Sequence, residues 1–195
     1  RLVVECPEAG ALTALWALEI ADGTWQRVTT GLFADARPAW SPDGAYIAFS
    51  RADPQGVRHI YVCDASGGNL RQLTGGTTDD QFPAWDPGGT RVVYAQTGAD
   101  GDQDIYSVGL DGSSPRVVIA SAQDEWDPCF SRDGRYLAFA QGDVASEVDV
   151  MVFNLGGDTV ANVTQAPGSR DWDSAFSPDG QSSAFVTDRT ADNDI

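Results

Sequence analysis

PAWSPDGAYIAFS at residues 38–50 returns as PAWDPGGTRVVYA at residues 83–95. Setting Trp40 and Trp85 in register brings Phe130 and Phe176 into the same column, with spacings of 45, 45 and 46 residues. Each aromatic is followed by a turn sequence: SPDG at 41–44, DPGG at 86–89, SRDG at 131–134 and SPDG at 177–180. Two further columns follow, Ala48, Val93, Ala138 and Ala184 beside Phe49, Tyr94, Phe139 and Phe185, while a third, Ile47, Val92 and Leu137, ends on Ser183. Self-similarity at a fixed period marks a repeat architecture, so the opening stretch is a building unit rather than a site used twice.

The second half of the unit keeps the same period. HIYV at 59–62 matches DIYS at 104–107 and DVMV at 149–152, and Asp194-Ile195 begins the same element again. LRQLT at 70–74, PRVVI at 115–119 and VANVT at 160–164 make a fourth run, and RLVVE at 1–5 lies 45 residues ahead of YIAFS. Apolar alternation, β-branched and aromatic enrichment and Gly/Asp/Pro punctuation favour strands, and no helical period survives from copy to copy. In SPDG, Pro presets the first central turn position, Asp bonds its own backbone and Gly takes the tight position. The expected fold is all-β: a β-propeller of four-stranded antiparallel blades with a 45-residue repeat. A blade cannot bury both faces alone, and stacking buries the large apolar residues between neighbours. The aromatic column is therefore expected to be inter-blade core.

The stretch PAWSPDGAYIAF, with the later IYV and GGNLRQLT of residues 60–74, resembles the TolB-type β-propeller repeat over the whole chain. The resemblance implies blades at 33–77, 78–122 and 123–168, with partial blades at 1–32 and 169–195, as part of a six-bladed ring; a four-bladed ring ranks second. It also implies a choice of roles. Propellers of this kind include periplasmic envelope proteins that bind partners, secreted or cell-surface proteins, and the propellers of prolyl-oligopeptidase and tricorn-type serine peptidases. The first reading is a non-catalytic module or scaffold for a protein or cationic peptide, in the periplasm, at the surface or outside the cell. The alternative is a propeller that gates substrate to a peptidase domain. The length of the parent reading frame separates the two.

Composition narrows the partners. Twelve basic residues, every one Arg, face 29 acidic residues, for a formal charge of −17. A field of that sign repels nucleic acid and anionic membrane surfaces and favours cations and basic partners. No apolar run approaches the roughly 20 residues that cross a bilayer, so no membrane insertion is expected. Cys6, Cys63 and Cys129 lack metal-site spacing and read as buried free thiols within or beside strands. The single His, His59, heads a repeated strand and reads as a solvated strand end rather than a general base. With no G-x-S-x-G elbow and no P-loop, the chain reads as not an enzyme.

Two acidic constellations stand out. Asp35, Asp80, Glu125 and Asp171 each precede the column aromatic by five residues. In propellers of the resembled family that strand lines the central channel, so one carboxylate per blade would ring a channel mouth and suit a metal ion, an Arg or Lys side chain or a cationic peptide end. The alternative is repeat inheritance with hydrogen bonds to the neighbouring blade's backbone. The second is Asp100, Asp102 and Asp104, whose alternate spacing resembles half of a Ca²⁺ loop without its closing Glu. No other cofactor is implied. NVT at 162–164 matches a glycosylation sequon but coincides with the fourth-strand column.

Overall fold

The computed structural model describes residues 1–9, 12–99 and 101–189. Among these residues seventeen strands form five antiparallel sheets. The first holds β1 (Leu2–Pro7), β2 (Thr13–Leu18) and β3 (Trp25–Arg27). The second holds β4 (Asp35–Trp40), β5 (Tyr46–Ala52), β6 (Arg58–Asp64) and β7 (Arg71–Gln72). The third runs β8 (Asp79–Trp85), β9 (Arg91–Thr97), β10 (Gln103–Gly109) and β11 (Arg116–Ile119). The fourth runs β12 (Asp124–Phe130), β13 (Tyr136–Asp143), β14 (Glu147–Asn154) and β15 (Thr159–Asn162), and the last pairs β16 (Asp171–Phe176) with β17 (Ser183–Thr187). Every pairing is between strands consecutive in sequence, the up-and-down order of propeller blades. The first strands β4, β8, β12 and β16 touch one another in succession, which sets them on the inner side of the arc.

The turn chemistry is direct. Ser41 Oγ donates to Asp43 Oδ1 at 2.6 Å and accepts from the Tyr46 amide at 2.9 Å, while Gly44 sits at φ +70°. Ser131 with Asp133 and Ser177 with Asp179 repeat the bond. These serine hydroxyls, with a backbone amide, hold the three aspartates below the usual carboxylate range. In the DPGG copy Asp86 replaces the serine and accepts the Thr90 and Arg91 amides itself, at 2.7 Å each.

The core lies between sheets. Leu15, Ala17 and Val28 of the first sheet pack with Ile47, Phe49 and Cys63 of the second, and Trp40 closes on that cluster. Ala48, Ile60, Val62 and Leu73 of the second meet Trp85, Val92, Tyr94 and Val108 of the third. Trp85 stacks on Tyr46 at 6.3 Å and donates Nε1 to the Ala39 carbonyl at 3.0 Å. Phe130 joins the next cluster, and Phe176 stacks on Tyr136 at 6.5 Å. The aromatic column is thus the inter-blade core. Side chains also staple blades together: Asp79 accepts the Arg58 amide at 2.7 Å and Asp124 accepts the Gln103 amide at 2.9 Å. All three cysteines are free thiols, but only Cys63 is fully buried, Cys6 and Cys129 being half-buried; burial pushes the Cys63 thiol up to about 12. Asn162 lies on β15 and donates Nδ2 to Asp149 at 2.7 Å.

Candidate functional site

Asp35, Asp80, Glu125 and Asp171 lie in the inner strands, and all four have 0% exposure. Strand register sets Arg51, Gln96, Gln141 and Thr187 opposite them. Arg51 grips Asp35 with Nε on Oδ1 at 2.6 Å and Nη2 on Oδ2 at 2.9 Å. Gln96 donates to Asp80 and Gln141 to Glu125, both at 2.7 Å, and the Ser121 hydroxyl also bonds Glu125. Asp171 takes its bond from Arg189 at 2.7 Å. Burial pushes the Asp80 and Glu125 carboxyls up, against the bonds they accept. An open ring of charge at a channel mouth is therefore not what these residues form. Asp35, Asp80 and Glu125 are bonded by their cross-strand partners and Asp171 by Arg189, and none of the four carboxylates presents exposed surface.

His59 is buried too, at 5% exposure, rather than solvated. Its Nδ1 lies 3.7 Å from Asp80 Oδ2 and its Nε2 lies 4.0 Å from Asp53 Oδ2. It is enclosed between two carboxylates across a blade boundary. Of the calcium candidates, Asp100 lies outside the described residues, Asp104 lies in β10 opposite Gln96, and Asp102 supplies a backbone carbonyl to the Gly98 amide at 2.9 Å. Among the described residues no group of three or more His, Cys, Asp and Glu side chains is placed to hold a metal ion.

The structure brings together a different column. Each inner strand slips register once against its partner, at Ala36/Ala39, Gln81/Ala84, Trp126/Cys129 and Trp172/Ala175. On each bulge stands a non-glycine residue in the left-handed region: Arg37 at φ 56°, Phe82 at 54°, Asp127 at 58° and Asp173 at 56°. Such a conformation costs a non-glycine residue about 1–3 kcal/mol and persists only where its surroundings demand it. A β-bulge re-aims the side chain it carries. Here four bulges present one residue per blade: a cation, an aromatic ring and two carboxylates.

All four, with their neighbours, line a cleft of about 270 Å³. Phe82, Trp126 and Trp172 form its apolar side, packed on Ala95, Ala140 and Val148. Asp127 and Asp173 form its acidic side, and Arg37 lies at its edge with Cζ 4.1 Å from the Phe82 ring centre. Arg170 also reaches the cleft, but its Nε is bound to Asp188 at 2.6 Å. Burial, then the charge of Asp173 and a hydrogen bond between the two carboxyls, push Asp127 up to about 6, and the Arg37 guanidinium opposes the rise. Half-buried Asp127 and exposed Asp173 thus share an under-compensated negative charge in an aromatic-walled cleft open to solvent.

Comparison with known proteins agrees with this architecture. The family model of the TolB beta propeller domain matches residues 1–126. A putative TolB from Agrobacterium tumefaciens superimposes with a TM-score of 0.79 at 26% identity, over 95% of this chain and 65% of that one. TolB from Acinetobacter baumannii gives 0.78 at 20% identity, over 95% of this chain and 48% of that one. A puromycin-hydrolyzing peptidase of Mycobacterium tuberculosis gives 0.70 at 18% identity, over 98% of this chain and 34% of that one, a likeness of fold alone. The chain spans less than two thirds of each of these structures. No curated protein matches it in sequence.

Proposed function

The chain belongs to the TolB β-propeller family, and on that premise we propose that it is a non-catalytic recognition module that docks a protein through a basic segment. The observation that carries this reading is the inner-strand cleft, where Asp127 and Asp173 face aromatic walls and remain open to a partner. The charge of −17 supports it, since a field of that sign draws basic chains toward the surface and raises their encounter rate. The bulge column supports it as well: one backbone device, repeated in successive blades, offers Arg37, Phe82, Asp127 and Asp173 side by side. Pocket residues of differing chemistry on a rigid scaffold are suited to reading a sequence. His59, closed in by Asp53 and Asp80, is poorly placed for a general base, in keeping with a non-catalytic role. The family resemblance supports a setting in the cell envelope or outside the cell.

A peptide array read by fluorescence tests the proposal. Lys-containing peptides should bind the chain more tightly than their Glu-substituted counterparts, with a strong salt dependence. Equal retention of both sets would remove the recognition reading.

A further inference from the structure

We propose that the cleft bounded by β8, β12 and β16 binds a primary alkylammonium group, the chemistry of a lysine side chain or a free amine. The inference rests on the recognition role proposed above and names the group that the cleft takes. Three ring systems, Phe82, Trp126 and Trp172, stand on one side of it. Aromatic faces attract cations, most strongly where water is partly excluded. The chain already shows this preference on the same wall, since the Arg37 guanidinium lies 4.1 Å from the centre of the Phe82 ring.

Charge sets the sign of the guest. Asp127 and Asp173 bring two carboxylates, Arg37 answers one, and Arg170 is committed to Asp188 through both Nε and its backbone amide, at 2.6 and 2.7 Å. One negative charge is left over, and the Asp173 charge adds to burial in pushing Asp127 up. A monocation restores balance. Hydrogen bonding then selects among cations. Ionised carboxylates offer only acceptors, and an ammonium offers three N–H donors, whereas a quaternary ammonium offers none. The volume of about 270 Å³ suits a short alkyl chain with its head group rather than a larger organic ligand.

The probe is n-butylammonium chloride, titrated at constant ionic strength above the Asp127 titration range and followed by tryptophan fluorescence and calorimetry. Binding should saturate with a Kd on the order of 1 mM. Tetramethylammonium and the neutral n-pentanol should bind at least about ten-fold more weakly, and Asp173→Asn should cost a similar factor. Asn tolerates the left-handed backbone at this position, so the variant keeps the bulge. Trp172→Phe, which retains a ring, should weaken binding less than Trp172→Ala. Butylammonium bound no better than pentanol, or undiminished in Asp173→Asn, overturns the inference.

A blocked Gly-Lys-Gly peptide separates the two sources of amine. If it competes with butylammonium, the guest is a lysine side chain. Exclusion of the peptide while butylammonium binds leaves a free-amine site and removes the recognition role. A basic peptide that binds wild type and Asp173→Asn alike removes the ammonium site and leaves that role standing.

Discussion

Asp127→Asn should stabilise this protein at neutral pH. Burial and the neighbouring Asp173 carboxyl raise Asp127 from its ordinary 3.8 to about 6. An acid whose folded pKa lies above its unfolded value binds protons more tightly when folded. Between the two values the folded chain carries more protons than the unfolded one, so stability falls as pH rises through that window. Above about 6 the ionised form carries the full cost. A displacement of about two pK units at 1.36 kcal/mol each sets an upper bound of about 3 kcal/mol, which belongs to the Asp127–Asp173 pair rather than to one residue. Asparagine removes the charge and keeps a donor for Asp173, mimicking the protonated acid. The expected gain is therefore roughly 1–3 kcal/mol at about pH 8, shrinking toward zero near pH 4. Urea denaturation of wild type and variant across this range measures it. A variant equal to or weaker than wild type at the alkaline end, or a gain that does not change with pH, would refute the electrostatic account of the pair.

Arg51→Met should cost about 3–5 kcal/mol, because it strands the fully buried Asp35 carboxylate, and Asp35→Leu added to it should recover most of the loss; denaturant midpoints decide, and a double variant no better than the single one would contradict the pairing. Gly67 adopts φ +87°, and an added Cβ would lie 2.0 Å from the Val28 carbonyl of the preceding sheet, whereas Gly44 at φ +70° has open space around it. Gly44→Ala should thus lose about 1–2 kcal/mol for its backbone, and Gly67→Ala roughly a further 1–3 for forcing two blades apart. Thermal melts showing equal losses would count against close blade packing at that turn.

The repeat was legible because identical demands recur in every blade. Each blade needs an aromatic to fill the seam, a tight turn after it and a pair of small and large residues in its second strand. Trp40, Trp85, Phe130 and Phe176 meet the first demand with similar side chains, and similarity is what register comparison detects. The bulge column escaped for the opposite reason. Arg37, Phe82, Asp127 and Asp173 share a backbone conformation but no chemistry common to all four, so their side chains do not mark a common position. Its one trace is in the strand pattern, where the bulge breaks the alternation three residues before each aromatic.

The acidic column failed in another way. Four carboxylates in register read naturally as exposed charge, and their burial follows from partners sixteen residues on, at Arg51, Gln96 and Gln141, which face them only once the hairpin has closed. His59 misled similarly, since a polar residue at a strand head is solvated unless the next blade covers it. Here Asp80 does so.

The most direct measurement is calorimetric titration of a Lys-rich peptide into wild type and Asp173→Arg. Asp173 is exposed, and Arg37 already occupies the equivalent left-handed bulge position, so the charge reversal keeps the bulge while turning the acidic side of the cleft against a cation. The account predicts saturable, salt-sensitive binding to wild type and its loss in the variant. Equal affinity for both would contradict the assignment of recognition to this cleft.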